Sequence, residues 1–267
     1  PKDRISVLAR PWVAALYRLL PEVDEVLVED RELDAGRAGR TTLASELRGQ
    51  GFDRAILLPR SFSTAWTAYQ AGIPERWGYR GELRSPLLTH AVPFRRPPGE
   101  HEVHRHIRLV AATGVPLPSV PDATWNVTES LRRGARARLR EAGVPDGGFV
   151  AAHVASFAHE AKRWPEARFA RLFVHPTAVR DLPVVLLGSA SESAMNQRVA
   201  SLASRAAGPS SPAPRVFDLA GQTSLPEVLG IVALAELFVG NDSGLAHLAN
   251  AAGTPTTVVF GPTDPDA

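Results

Sequence analysis

The sequence predicts an α/β protein made of two parallel-sheet units in tandem, and three observations carry that expectation. Short apolar runs alternate with helix-period stripes along the chain, which is the pattern of repeated βαβ units. The alternation breaks across a proline-rich stretch and a basic helix, then restarts at Phe149. With 267 residues the chain can bury two cores of ordinary size. One unit is expected over 1–143 and a second over 144–267.

Taken in order, Ile5 to Ala9 reads as a strand, and Trp12, Ala15, Leu16, Leu19 and Leu20 form the stripe of an amphipathic helix. Val23 to Val28 is the next strand, and Leu43 and Leu47 mark a short helix stopped by Gly49 and Gly51. Arg54 to Leu58 reads as a strand, followed by a helix with Phe62, Ala65, Trp66 and Tyr69 on one face. Residues 73–100 read mostly as loop because five prolines interrupt them. Val103, Ile107, Val110 and Ala111 line a helix, and Leu131 to Glu141 is a basic one. In the second half, strands are expected at 149–154, 184–187, 216–219, 237–239 and 256–260, with helices near 165–174, 191–206, 225–235 and 243–252. Pro176 shortens or kinks the first of these helices. Two such units in tandem suggest a ligand cleft between them, at the carboxyl ends of the strands.

Composition excludes several chemistries. Hydrophobic residues are 44% and charged residues 22%, within the range of a folded globular chain. A formal charge of only +2 argues against nucleic acid as partner, although arginines cluster at 76–96 and 132–140. Zero cysteines remove disulfides, thiolate metal sites and a cysteine nucleophile, and their absence fits the cytosol. No run of about 18 apolar residues is present to span a membrane as a helix. The chain opens on Pro1 and closes in a turn-rich loop, which reads as a sequence cut at both ends.

The polar motifs gather after strand ends. In Phe238-Val-Gly-Asn-Asp-Ser-Gly-Leu-Ala-His247, a strand passes through a tight turn into a helix, with Asp242 and Ser243 as N-cap types. The N–H groups of Ser243, Gly244 and Leu245 would emerge at the helix N-terminus, where the macrodipole favours an anion such as a nucleotide diphosphate. Asp242 would cap the helix or accept from a sugar hydroxyl. A lone histidine such as His247 is more often packed than catalytic. Lys162 precedes Trp164-Pro165, a staple and helix start, and is either a phosphate partner or a solvated cation. Glu192, in Gly188-Ser-Ala-Ser-Glu192, either accepts from ribose hydroxyls or complements a helix dipole. Ser156 and the turn at Thr223 follow two further strand ends. In the first half, Arg60, Arg80 and Arg84 surround an aromatic, glycine-bearing segment that either grips an anion or anchors a loop. His101, His104 and His106 do not share one helix face, and no metal site is expected.

Asn241-Asp-Ser-Gly-Leu-Ala-His247, Phe260-Gly-Pro-Thr-Asp-Pro265, Ala161-Lys-Arg-Trp-Pro165 and Gly188-Ser-Ala together resemble the ADP-heptose:lipopolysaccharide heptosyltransferases of glycosyltransferase family 9, in particular their type II. Phe52 to Phe62 and Ala71 to Arg84 extend the resemblance over most of the chain. It implies a GT-B architecture of two Rossmann-like domains facing across a cleft, acceptor in the first and donor in the second. It implies an inverting enzyme that moves heptose from ADP-L-glycero-D-manno-heptose to the lipopolysaccharide inner core, with no cofactor and no metal. Carried over by position, Lys162 would stabilise the departing diphosphate, Glu192 hold the ribose, and the turn near Thr223 lie against adenine. Asp242 would hold heptose hydroxyls beside His247, and Ser243, Gly244 and Leu245 would bind the phosphates with Ser156 on the same rim. Arg60, Arg80 and Arg84 would face the acceptor.

The family's base aspartate belongs to a Gly-Asp loop after its first strand, ahead of where this chain begins. The resemblance therefore implies a piece lacking that loop and the final helices, able to bind nucleotide without turning over; Asp30 and Asp53 are not substitutes. It further implies a monomer, cytoplasmic and peripheral at the inner face of the membrane that carries the acceptor. Two alternatives stay open: a GT-B transferase or epimerase using another donor, and an inactive sugar-nucleotide-binding protein.

Overall fold

The structure, a computed structural model, describes residues 3–29, 37–81, 83–95, 97, 100–117, 122–155, 163–175, 182–207 and 213–261. The chain divides into two compact units between Pro121 and Asp122.

The first unit runs β1 (Ser6–Ala9), α1 (Pro11–Tyr17), β2 (Glu25–Val28), α2 (Arg37–Gly49), β3 (Arg54–Leu57), α3 (Phe62–Gln70), β4 (Glu75–Tyr79), β5 (His90–Val92) and α4 (Glu102–Ala111). Its strands form two parallel sheets, β1-β2 and β3-β4-β5. Helix α1 stops before Leu19 and Leu20, whose N–H groups close turns onto the Leu16 and Tyr17 carbonyls; the following Pro21 disfavours helix at the residue before it. Ser61 caps α3 by accepting from the Thr64 N–H at 3.3 Å. Ala44, Leu47, Leu57, Ala65, Ala68 and Ile73 form the core between α2, α3 and the β3-β4-β5 sheet.

The stretch expected to be loop, 73–100, contains β4 and β5. Pro74 sits just ahead of β4 and leaves its ladder intact, and Trp77 stacks on its register partner His90 at 3.8 Å. Tertiary pairing thus overrides a proline-rich composition.

The second unit begins with α5 (Glu129–Glu141), capped by Thr128, and continues as β6 (Val150–His153), α6 (Glu166–Phe173), β7 (Val184–Leu186), a single 3-10 turn (Ala190–Glu192), α7 (Ser193–Ala206), β8 (Val216–Asp218), α8 (Leu225–Val232), β9 (Leu237–Asn241), α9 (Gly244–Ala251) and β10 (Thr256–Val259). The boundary expected at 143 is therefore corrected to 121/122. Helix α5 packs on α8, where a Cβ at Gly230 would lie 2.6 Å from the Leu131 carbonyl oxygen, and Arg132 donates to the Ala233 carbonyl at 2.7 Å.

All five strands are parallel, in the order β10-β9-β6-β7-β8. Central β6 is buried along its whole length, as a parallel strand covered on both faces must be. Val150, Val184, Leu186, Phe169, Phe173 and Val199 fill the core beneath α6 and α7. Pro165 is the N-cap of α6 rather than its first residue, and Trp164 packs edge-on against Phe169 at 4.9 Å, the staple that the sequence predicts. No helix among the described residues is long and apolar enough to cross a membrane.

Candidate donor site at the switch point of the second sheet

In this strand order, chain direction across the sheet reverses between β6 and β9. A crevice opens outside the carboxyl ends of strands at such a point, and ligands of open α/β sheets bind there. The residues there are His153 at the end of β6, Asn241 and Asp242 at the end of β9, and the turn that follows β7.

Asn241 ties the site together. It is fully buried, its amide donates to the Val154 carbonyl at 2.8 Å, and its Oδ1 accepts from the Trp164 N–H at 2.9 Å. The carboxyl end of β9 is thereby fixed to the strand beside it and to the start of α6. Gly240, one residue earlier, is demanded by the fold: a Cβ would lie 2.8 Å from the His153 carbonyl oxygen.

Ser243 is the N-cap of α9, yet its side chain makes no capping bond. Its Oγ lies 3.0 Å from His153 Nδ1 instead. Ala246 and His247 donate to the Ser243 carbonyl, whereas the N–H groups of Gly244 and Leu245 have no partner among the described residues. Gly244 is exposed, and an added Cβ would meet nothing within 4 Å among the described residues. No described residue requires a glycine there.

Glu192 closes the other side. Its Oε2 accepts from the Ser189 N–H at 2.6 Å and from Ser189 Oγ at 2.9 Å, a capping box, while Oε1 lies 3.5 Å from His153 Nε2. Burial acts to raise the pKa of this carboxyl; the His153 ring and the Ser189 N–H outweigh it and hold the carboxyl down at about 2. Glu192 is thus ionised and can only accept, and Oε1 keeps lone-pair capacity for a hydroxyl.

The turn carrying Thr223 abuts this segment. A Cβ at Gly221 would lie 2.6 Å from Ala190 Cα, the Gly221 N–H donates to the Gly188 carbonyl at 2.9 Å, and Thr223 Oγ1 is buried without a partner among the described residues. Asp242 and His247 face each other, with His247 Nε2 3.9 Å from Asp242 Oδ1 and the histidine side chain 70% exposed.

The structure therefore brings together Glu192, Thr223, Asp242, Ser243, Gly244, Leu245 and His247. Ser156 and Lys162 lie outside the described residues. In the first unit, Arg84 is fully buried and donates to the Pro59 and Ser61 carbonyls, which corrects its expected place at an acceptor surface. Arg60 lies over the Phe94 ring at 3.7 Å, and exposed Arg80 donates to the Ala91 carbonyl at 2.9 Å. His101 caps α4 by accepting from the Val103 N–H. Two site residues were not singled out by the sequence, His153 and Asn241. The available signal was a polar residue at the end of an apolar strand run.

A doubly wound parallel sheet with an anion-ready helix N-terminus at its switch point defines a nucleotide-binding α/β unit, and the two-unit chain has the GT-B fold of the glycosyltransferases. The chain belongs to glycosyltransferase family 9, the heptosyltransferases, whose sequence model matches residues 40–267. It is 32% identical to lipopolysaccharide heptosyltransferase 2 of Escherichia coli K12, over 100% of this chain and 76% of that protein. It is 30% identical to lipooligosaccharide heptosyltransferase 2 of Haemophilus influenzae, over 99% of this chain and 76% of that protein. The solved ADP-heptose lps heptosyltransferase II of E. coli superposes with a TM-score of 0.83 at 29% identity, covering 100% of this chain and 78% of that one.

Proposed function

We propose that this glycosyltransferase moves heptose from ADP-L-glycero-D-manno-heptose to the inner core of lipopolysaccharide, with inversion at the anomeric carbon, as a type II heptosyltransferase. Gly244 carries the donor half of this reading: a glycine that no described residue requires, exposed where two N–H groups have no partner among the described residues, is explained by the close approach of a ligand phosphate.

In this reading the diphosphate lies on the N-terminus of α9, where charge develops as ADP departs. Lys162 adds a point charge to the same phosphates. Glu192 Oε1 accepts from the ribose, the Thr223 turn lies against adenine, and Asp242 with His247 beside it holds heptose hydroxyls. Ser156 completes the rim. Arg80 and Arg60 remain the acceptor-side residues of the first unit. The positive charge supplied by Lys162 and the helix N-terminus makes a metal unnecessary, and no cofactor is invoked. The chain would act as a monomer, peripheral at the inner face of the cytoplasmic membrane where the acceptor is presented.

Calorimetric titration with ADP and with UDP tests the donor. ADP is expected to bind more tightly, and tighter UDP binding would overturn the donor assignment. In a heptose-transfer assay of protein that includes the Gly-Asp loop, on heptose-deficient lipopolysaccharide, Lys162→Ala is expected to lower turnover at least about tenfold; unchanged turnover removes Lys162 from the mechanism.

A further inference from the structure

One buried side chain at the switch point, His153, has no task in the donor reading. His153 is 5% exposed, at the carboxyl end of the central strand. Its ring bridges two elements far apart in sequence, Ser243 through Nδ1 at 3.0 Å and Glu192 through Nε2 at 3.5 Å. Because ionised Glu192 only accepts, Nε2 carries a proton; in the neutral ring Nδ1 then accepts from the Ser243 hydroxyl. The backbone beneath the ring is fixed as well, since His153 pairs with Gly240 at a point that leaves no room for a Cβ.

A serine at an N-cap ordinarily turns its oxygen onto the N–H of the second or third helical residue. Ser243 has the extended N-cap backbone, φ −157° and ψ 164°, but does not do so. Its hydroxyl is held by His153, so the helix is left uncapped on the side where a ligand would approach. We propose that His153 is a positioning residue for the donor: it keeps Ser243 from capping its own helix, preserving the free N–H groups of Gly244 and Leu245, and holds the Glu192 carboxylate in the same register. This rests on the donor reading above. One imidazole thereby sets the phosphate cradle and the ribose acceptor as a unit, 3.0 and 3.5 Å from its two nitrogens.

The test is ADP binding by calorimetry, with thermal unfolding in parallel, for wild type, His153→Leu, His153→Gln and His153→Leu combined with Ser243→Ala. His153→Leu is expected to weaken ADP binding about tenfold or more, the worth of hydrogen bonds involving a charged group. His153→Gln, whose amide still donates and accepts, should recover part of that loss. Adding Ser243→Ala to His153→Leu should also recover part of it, because a hydroxyl free to cap the helix competes with the ligand and its removal ends the competition. A purely structural histidine would give the opposite, with the second substitution adding to the loss. Wild-type affinity in a folded His153→Leu, an affinity in His153→Gln no better than in His153→Leu, or additive losses in the double variant, would overturn the assignment. Failure of the wild-type chain to bind ADP would instead overturn the donor reading itself.

Discussion

Two polar clusters, one in each unit, look alike in sequence and differ in what their side chains are doing. Around β4, Arg84 is buried on the Pro59 and Ser61 carbonyls, Arg76 donates to the Leu87 carbonyl at 2.7 Å, and Arg60 lies on Phe94. These guanidinium groups are turned onto the protein's own carbonyls and rings, and a donor left over there, Arg60 Nε, is buried rather than exposed. At the switch point of the second sheet, Ser243 declines its cap, Gly244 and Leu245 keep their N–H groups, and Glu192 keeps capacity on Oε1. The difference teaches that a ligand site is marked by polar capacity that the fold leaves both unspent and exposed, rather than by density of charge.

The comparison breaks most sharply at Gly244. Gly244→Val is expected to weaken ADP binding more than about hundredfold by removing close approach to the helix N-terminus, while stability changes by no more than about 0.5 kcal/mol because the added Cβ meets no described residue within 4 Å. Retained ADP affinity in the calorimeter would refute the cradle. Arg84→Met should do the reverse. Two carbonyls lose their buried donor, a cost of about 2–3 kcal/mol in urea unfolding, and ADP affinity should stay at the wild-type value. A loss of ADP affinity in folded Arg84→Met would erase the distinction between the clusters.

The smallest effect is expected at Glu192, where the sign follows from its pKa. The folded value, about 2, lies below the ordinary 4.5, so the stability that the carboxylate contributes is fully present above pH 4.5 and is lost as pH falls toward 2. Glu192→Gln should therefore lower the unfolding midpoint at pH 7 and flatten the acid limb between pH 4.5 and 2. An acid limb identical to wild type would mean that the His153 and Ser189 contacts do not hold the charged form.

Much of the fold was legible because parallel strands covered on both faces write continuous apolar runs. Phe149 to Val154 and Val184 to Leu187 each contain an observed, fully buried strand of the five-stranded sheet. β4 and β5 were not legible, because Pro74, Gly78 and several arginines read as loop; Gly78 is in fact the gap through which the Arg84 guanidinium passes, and a Cβ there would collide with it. Helix α5 was assigned to the wrong unit for a related reason, since its basic face shows amphipathicity without naming the surface it covers.

By itself the sequence determined the α/β class, the helix N-terminus at Ser243-Gly244, the staple at Trp164 and the family, since these depend on local periodicity, turn chemistry and contiguous motifs. Tertiary structure alone decided the strand order that makes β6 and β9 neighbours, the passage of α5 into the second unit, and the burial of Arg84. It also decided that His153 meets Ser243, 90 residues further along the chain. Such contacts join elements distant in sequence, and no local pattern of residue types encodes which strand ends the sheet brings side by side.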